Sequence, residues 1–372
     1  MNKKLYILHE FGAPRHFDSL YYMNKENKMF DQIISIEFSV FNMMYKAIRN
    51  KNIENVIRTF RNMMFLFYLS FTRNKDVIIG AAPYHISIYF LLLIKFNHNV
   101  IYYSSWPYWD LSRYPRKIYL KNQLKAWRIF LSNINAVAVT EEVKKGLQQY
   151  TNNITVIPHC INPECFNITD RLKREENKLN ILYVGRLIPE KGIRIILDLA
   201  NRYKVYNGMQ INWNIIGEGE LRDEVINQSL GNSNIKYFGQ FSNQNELAKM
   251  YKMNDILILP SQINNPKWEE LFGIVLIEAM ACGCVPIASR SVGPSMIISH
   301  NVDGILIEPV DDSEAYIIEL KKLIVNPELI ELFAERSFQK TKSIYTDEIN
   351  AELWLKVINR ESSMGLFLNK VM

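Results

Sequence analysis

The sequence predicts an α/β protein of two domains, each a parallel β-sheet with helices on both faces. The chain has 372 residues, 48% hydrophobic and 22% charged, and at roughly 100–200 residues per domain this length predicts two domains. Short apolar runs alternate with helical patterns, which is typical of doubly wound parallel sheets. Residues 170–180 are rich in charge and poor in apolar residues, as in a domain linker. We therefore expect domains at residues 1–172 and 178–346.

Each predicted strand is a short apolar run bounded by polar or turn residues. In the first domain the runs are 4–9, 76–80, 99–104, 136–140 and 155–158. In the second domain they are 180–185, 213–217, 255–260 and 285–289. Residues 347–360 are predicted to form a helix with apolar residues on one face: Ile349, Leu353, Trp354 and Val357.

Hydropathy and cysteine content exclude several classes of protein. The longest apolar stretches are far shorter than the ~20 residues that cross a bilayer. A signal peptide is not expected, because His9 and Glu10 interrupt the first apolar run. The four cysteines match neither a disulfide framework nor the spacing of common zinc sites: Cys160, Cys165, Cys282 and Cys284. Buried thiols in a reducing cytoplasm fit this pattern, so we expect a cytoplasmic protein.

The positive charge is concentrated in the first half of the chain. Residues 1–172 hold 22 Lys and Arg against 12 Asp and Glu, a net charge of +10, while residues 173–372 hold 22 against 26, a net charge of −4. Aromatic and basic residues interleave between Trp106 and Arg128. This mixture favours an anionic membrane surface, with peripheral attachment to the inner membrane face, over nucleic acid, because no nucleic-acid-binding motif surrounds it. The alternative, that the aromatics are core and the cations a solvated helix face, stays open.

Two segments of the second domain carry the chemistry. In the first, a buried strand ends at Gly185 and the following turn holds Arg186 and Lys191. Two fixed cations at the carboxyl end of a parallel strand can bind a diphosphate. In the second, a helix is predicted to begin near Ile274, after Gly273, which lets the backbone approach an anion.

Two glutamates flank this predicted helix start. Glu270 precedes it and Glu278 lies about one turn inside it. Carboxylates beside an anion-binding helix start are explained if the ligand has hydroxyl groups as well as phosphates. A nucleotide sugar has both.

Together these motifs resemble the retaining glycosyltransferases of family 4 (GT4, glycosyl transferases group 1), which have the GT-B fold of two Rossmann-like domains facing a central cleft. The resemblance rests on the Glu270-x7-Glu278 spacing, the Phe272-Gly273 step and the Gly185-Arg186-x4-Lys191-Gly192 loop. Segments 156–162, 215–220 and 235–239 are similar to further landmarks of that family in the same order. The likeness is strongest over residues 136–309. It also implies that the final segment, 347–372, crosses back to the first domain.

The resemblance assigns a role to each matching residue. Arg186 and Lys191 would bind the donor diphosphate, Glu270 the donor-sugar hydroxyls and Glu278 the ribose hydroxyls. The other positions that match the family would line the donor-binding site: Gly12, Gly185, Phe238, Gly239, Phe272, Gly273 and Ile274. Family members often carry a histidine after the strand that corresponds to 100–103. Here Ser104 and Ser105 follow that strand, so His9 and His85 are the substitutes to consider, although an isolated histidine is more often a satisfied core residue.

The activity implied is transfer of a sugar from a UDP- or GDP-sugar to a glycan or lipid-linked acceptor, with retention of configuration. No Asp-x-Asp triplet is present, so we expect no metal and no cofactor. Two alternatives stay open. One is a nucleotide-sugar epimerase or hydrolase on the same fold, which would act without an acceptor. The other is a non-catalytic scaffold, which would have no chemical need for Arg186, Lys191, Glu270 and Glu278.

Overall fold

A computed structural model describes residues 3–10, 14–111, 118–171, 173–263 and 268–360. The chain divides into two compact units: Met1–Pro158 together with the chain from Asn350 onward, and His159–Ile349. The division falls earlier than the predicted linker. Residues 170–178 belong to the second unit, where the guanidinium groups of Arg171 and Arg174 lie 3.6 and 3.9 Å from the Glu331 carboxylate. Their side chains are only 17% and 16% exposed, so this charged segment packs into the second unit.

The first unit is built on a wholly parallel sheet. Its strands are β1 (Lys4–His9), β2 (Gln32–Glu37), β3 (Asp76–Gly80), β4 (Asn99–Ser104), β5 (Asn135–Ala138) and β6 (Ile154–Val156). They lie in the order β2-β1-β3-β4-β5-β6. The helices are α1 (Asp18–Asn27), α2 (Val40–Arg49), α3 (Ile53–Phe71), α4 (Ile88–Asn97), α5 (Gln123–Leu131) and α6 (Glu141–Leu147). Strand β2 was not predicted, because this edge strand has only three apolar residues, which Ser35 interrupts, and no continuous apolar run.

Aromatic side chains dominate one core of this unit. Tyr84, Tyr102, Trp109, Trp127 and Phe130 are fully buried and meet edge to face or tilted, with ring centroids 5.5–6.3 Å apart. Such pairs stabilise a core beyond the area they bury. The prediction that aromatic residues between Trp106 and Arg128 face a membrane is therefore wrong for Trp109 and Trp127, which lie in the core.

The second unit has a second sheet, with strands β7 (Lys178–Val184), β8 (Val205–Tyr206), β9 (Met209–Ile216), β10 (Ile235–Tyr237), β11 (Ile256–Leu259), β12 (Val285–Ser289) and β13 (Ile305–Ile307). The parallel strands lie in the order β10-β9-β7-β11-β12-β13, and β8 pairs antiparallel with β9. The helices are α7 (Ile193–Arg202), α8 (Arg222–Gly231), α9 (Gln244–Lys252), α10 (Ile274–Ala281), α11 (Val292–Ile297), α12 (Ser313–Val325) and α13 (Glu328–Ile344). Buried aliphatic residues of the sheet and of α7, α12 and α13 form its core.

The final helix, α14 (Asp347–Asn359), begins in the second unit and continues in the first. Its buried residues are Asn350, Ala351 and Trp354. The Trp354 ring stacks on Tyr103 at 6.3 Å, and the Asn350 amide oxygen accepts a hydrogen bond from the Ser19 hydroxyl. Of the four apolar residues predicted to pack, only Trp354 is buried. No helix of the described residues is long and apolar enough to cross a membrane.

Candidate functional site

The predicted site residues of the second unit cluster at the carboxyl edge of its sheet. Strands β7 and β11 are neighbours at the centre of the sheet, and the strand order reverses between them. In open parallel sheets this reversal point opens a crevice where ligands bind. The loop with Arg186 and Lys191 follows β7, and the segment with Ser261 and Glu270 follows β11.

Backbone hydrogen bonds join the loops that follow β7, β9 and β10. The Gly185 amide donates to Ile216 O at 3.0 Å, and the Gly217 amide donates to Gly239 O at 2.8 Å. Gly217 has a φ of +148°, and a Cβ there would lie 1.8 Å from Gly185 O. Only glycine therefore allows these two loops to come this close.

A second close approach joins the loops after β7 and β11. Gly192 has a φ of +69°, and a Cβ on it would lie 1.9 Å from Pro260 O. The Gln262 amide donates to Glu190 O at 2.8 Å. This contact fixes the end of the loop that carries Lys191. It also explains why glycine follows Lys191 in the motif, because a larger residue at position 192 would overlap Pro260 O.

Lys191 and Glu270 form an ion pair, although 79 positions separate them in sequence. Their side chains are 15% and 12% exposed. The Ser261 hydroxyl also donates to Glu270 Oε2 at 3.3 Å, and the Lys191 ammonium lies 5.3 Å from the centre of the Trp268 ring. The sequence placed these two charges on separate parts of the donor. The structure brings them together, so each sets the electrostatic environment of the other.

Arg186 differs from Lys191 in its surroundings. Arg186 is exposed, and its guanidinium group has no ion pair within the described part of the chain. Its carbonyl oxygen accepts a hydrogen bond of 2.8 Å from the Tyr183 hydroxyl, which fixes the backbone at the end of β7. Burial is the main cause that raises the pKa of Tyr183 far above its ordinary value, and the negative charge of Glu270 adds to it. Tyr183 is therefore a neutral hydrogen-bond donor, and Arg186 presents a positive charge to solvent.

The segment before α10 presents its backbone next to this pair. Gly273 has a φ of +91° and caps α10 without a side-chain hydrogen bond. The Phe272 ring is buried, 4.8 Å from the ring of His159. The Gly293 amide donates to Glu270 O at 3.0 Å. The buried Phe272 side chain thus anchors the segment. The backbone amide groups of the first turn of α10, from Ile274 on, can donate to an anion at the positive end of the helix dipole.

Glu278 lies on α10 and is buried, with 4% of its surface exposed. Its Oε2 accepts a hydrogen bond of 2.8 Å from the Tyr251 hydroxyl of α9. Burial, followed by the charge of Glu278, raises the pKa of Tyr251 well above its ordinary value, so this donor stays protonated. One carboxylate oxygen of Glu278 is therefore already held, and its assignment to the ribose stays a prediction.

The other predicted donor contacts lie on loops or outside the described residues. Phe238 is 40% exposed and follows β10, and Gly239 has a φ of +70° with open space where a Cβ would point. Gly12 lies outside the described residues. Within the described ranges no group of three His, Cys, Asp or Glu side chains could hold a metal ion. The four cysteines are free thiols, and burial raises the pKa of Cys282 to about 12.

The first unit has a polar cluster at the carboxyl edge of its own sheet, which the sequence did not predict as a group. Glu10 follows β1, and its Oε2 accepts a hydrogen bond from the Ala82 amide, which follows β3, at 2.9 Å. Its other oxygen lies 3.6 Å from His85 Nε2, and His85 Nδ1 lies 2.7 Å from the Ser87 hydroxyl. His85 is therefore a partnered residue, and its side chain is 18% exposed.

His9 is different, because it is buried and its Nδ1 has no hydrogen-bond partner among the residues that the structure describes. Burial lowers its pKa, against the opposing charge of Glu37. The sequence did contain one signal for the carboxyl edge of the first sheet: small residues occupy positions 80–82, at the end of β3.

Comparison with known proteins identifies the second unit. The sequence profile of the glycosyl transferases group 1 matches residues 166–340. This part of the chain belongs to that family. An uncharacterised glycosyltransferase of Methanocaldococcus jannaschii is 32% identical over 185 residues, which cover 46% of this chain and 45% of the relative. The lipopolysaccharide 1,2-N-acetylglucosaminetransferase of Salmonella typhimurium is 27% identical over 174 residues, 44% and 43% of the two chains. The matches thus span about half the length of these curated relatives.

Solved glycosyltransferase structures resemble nearly the whole chain. The sucrose-phosphate synthase of Thermosynechococcus elongatus has a TM-score of 0.69 at 14% identity and covers 96% of this chain and 98% of its own. Anabaena HepE, solved with UDP, has a TM-score of 0.68 at 13% identity and covers 96% and 100%. These likenesses establish the GT-B fold of two parallel-sheet domains.

Proposed function

We propose that the protein is a retaining glycosyltransferase that moves a sugar from a nucleoside-diphosphate donor to an acceptor hydroxyl in glycan synthesis. The observation that carries the proposal is the Lys191–Glu270 pair at the reversal point of the second sheet, beside the start of α10 and the exposed Arg186. Cations and amide groups there suit a diphosphate, and a carboxylate suits sugar hydroxyls. HepE was also solved with UDP-glucose, which favours a UDP-sugar as the first donor to test.

In the proposed reaction the bond between the anomeric carbon and the diphosphate oxygen breaks as the acceptor oxygen bonds to the same face of that carbon. The acceptor proton passes to a phosphate oxygen of the leaving nucleotide, so charge and atoms balance without an enzymic nucleophile. Arg186 and Lys191 stabilise the negative charge that develops on the diphosphate. Preorganised charges of this kind are usually the largest single contribution to an enzyme's rate enhancement. Glu270 holds the donor sugar and orients Lys191. We propose that no metal takes part.

The second unit would bind the donor, and the first unit would bind the acceptor. Glu10 and His85 mark the edge of the first sheet at which an acceptor hydroxyl would be held. We propose a glycan or lipid-linked acceptor, because polar and aromatic side chains both lie near this edge: Phe38 is 6.0 Å from His85, ring to ring.

A donor panel tests this function. Purified protein is incubated with UDP- and GDP-sugars, with and without a lipid extract, and release of UDP or GDP is measured in buffer with EDTA and in buffer with magnesium. We expect one donor to release nucleotide only when acceptor is present, equally in both buffers. Release without acceptor would favour a hydrolase, and a product nucleotide sugar of changed configuration would favour an epimerase. Donor binding without turnover would favour a scaffold, and activity only with magnesium would contradict the metal-free mechanism.

A further inference from the structure

Helix α3 has its apolar side toward solvent. Six large apolar residues recur every three or four positions along its 19 residues, and all are exposed by 59–75%: Ile53, Ile57, Phe60, Met64, Phe67 and Phe71. Residues with this spacing lie on one helical face. At 1.5 Å per residue the stripe runs about 28 Å, the full length of the helix.

The face of α3 that packs into the first unit mixes polar and apolar residues. Its buried residues are Thr59, Asn62, Leu66 and Leu69, and Phe65 packs against the same core. The Asn62 amide donates to Glu37 O at 3.1 Å, and the Thr59 hydroxyl donates to Asn55 O at 2.6 Å. The helix is therefore held in the unit without the six residues of the exposed stripe. A face of this size left in water indicates an interaction surface.

The charges beside the stripe are almost all positive. Between positions 45 and 73 the chain has six basic residues and one acidic residue, Glu54. The basic residues are Lys46, Arg49, Lys51, Arg58, Arg61 and Arg73. Arg58 and Arg61 are exposed on α3 itself, between the apolar stripe and the packed face. The preceding helix, α2, adds the exposed Tyr45 and Ile48.

We propose that α3 docks the protein on an anionic lipid bilayer, lying in the interface with the stripe in the acyl boundary and its arginines at the headgroups. Interfacial helices have this combination of a continuous apolar face and flanking cations. Charge complementarity favours anionic lipid over a second copy of the chain, because a symmetric contact through α3 would bring the arginines of two copies together.

This surface is not the one predicted from the sequence. On α5, Lys125 and Arg128 are exposed while Trp127, Phe130 and Leu131 are buried. Tyr119, Leu120 and Ile129 are exposed by 70%, 49% and 43%, so the segment around α5 presents fewer apolar residues beside its cations than the six-residue stripe of α3. Lys117, another basic residue of the segment from Trp106 to Arg128, lies outside the described residues.

Sedimentation of the full-length chain with vesicles tests the proposal. One set of vesicles is phosphatidylcholine, and the other is equal parts phosphatidylcholine and phosphatidylglycerol. We expect binding to the anionic vesicles that weakens in high salt. The double variant Phe60→Ser/Phe67→Ser, in which both side chains are more than 60% exposed, and the double variant Arg58→Gln/Arg61→Gln should each weaken it about tenfold or more.

The matched control is Lys121→Gln/Lys125→Gln, which removes two exposed cations before and on α5 and should weaken binding less than either α3 variant. Circular dichroism verifies that each variant is folded. Three outcomes would overturn the proposal: unchanged binding of both α3 variants, equal binding to neutral vesicles, or a larger loss in the α5 control. A fourth outcome would also overturn it: if the wild type is a dimer in lipid-free solution and the Phe60→Ser/Phe67→Ser variant is a monomer, the stripe binds a second copy of the chain and not a membrane.

Discussion

Two acidic residues lie at opposite ends of the same strand, β11, and they have different surroundings. Asp255 precedes the strand, where its Oδ2 accepts a hydrogen bond of 2.8 Å from the Asn180 amide. Burial raises its pKa to about 6, while Arg171 and Arg174 oppose the shift. Glu270 follows the strand and pairs with the Lys191 ammonium and the Ser261 hydroxyl.

The difference lies in what each end of a parallel strand can do. At the amino end, Asp255 is part of an amide network that includes the hydrogen bond from Asn212 to Asn180 and that from Asn214 to Asn254. At the carboxyl end, loops diverge and leave room for a ligand. Both carboxyl groups are largely buried near cations, and the proposed function gives Asp255 a structural role and Glu270 a ligand-binding role by their positions relative to the strand. The following predictions test this separation.

The largest effect is expected on turnover. Arg186→Ala and Lys191→Ala should each lower turnover roughly 10²–10³-fold, because each removes a fixed charge that stabilises the leaving diphosphate. Steady-state kinetics with the donor found in the panel measure this. Arg194→Ala, which removes an exposed arginine paired with Glu224 on the same unit, is the control and should keep normal turnover. Near-normal turnover of the Arg186 and Lys191 variants would remove them from the site.

The close contact at the carboxyl end should also be costly to disturb. Gly192→Ala should destabilise the protein by about 2–5 kcal/mol, because left-handed backbone strain and the overlap with Pro260 O add together. Gly208→Ala is the matched control: its φ is +78°, and its Cβ would meet nothing within 4 Å. It should cost only about 1 kcal/mol. Urea unfolding measures both, and equal losses would show that the loop contact contributes nothing.

The ion pair at the carboxyl end should couple stability to activity. Glu270→Gln leaves the Lys191 ammonium largely buried without its partner, which should cost about 2 kcal/mol. The double variant Glu270→Gln/Lys191→Met should regain most of that loss in urea unfolding while remaining inactive. Losses that simply add in the double variant would mean that the pair is not coupled.

The smallest effect is expected at the amino end, and on stability alone. Because the folded-state pKa of Asp255 is raised, proton binding stabilises the fold at low pH, and this contribution is lost as the pH rises through about 6. Asp255→Asn lacks the titration, so its stability relative to wild type should rise by about 1.4 kcal/mol from about pH 5 to about pH 8. Turnover should not change. A pH-independent difference, or loss of turnover, would break the distinction between the two ends.

The sequence predicted the continuous apolar strands and the local motifs, since both depend on neighbouring residues. Strands β1, β3, β4 and β12 have the predicted bounds. It missed β2, whose edge position relaxes the need for apolar residues, and the strands β8, β10 and β13, which have only two or three residues each. It also missed the Lys191–Glu270 contact, because pairing across 79 residues depends on which loops the sheet order brings together.

The orientation of α3 was beyond sequence reasoning for a different reason. Periodicity shows that a helix has an apolar side, but not whether that side meets a core or solvent. Here Thr59 and Asn62 face inward, and the apolar stripe faces outward. The predicted linker at residues 170–180 has a similar explanation, because composition does not show whether a charged segment packs into one unit or connects two.

The return of α14 to the first unit has a consequence for synthesis on the ribosome. The first unit lacks Trp354, which is 1% exposed in the finished protein, until the whole of His159–Ile349 has been translated. At about 5–20 residues per second, that interval lasts about 10–40 s. During it, the nascent first unit leaves Tyr103 uncovered by its stacking partner, while the second unit, continuous in sequence, can complete its fold. The later-made unit can therefore finish first, and the last helix completes the earlier one.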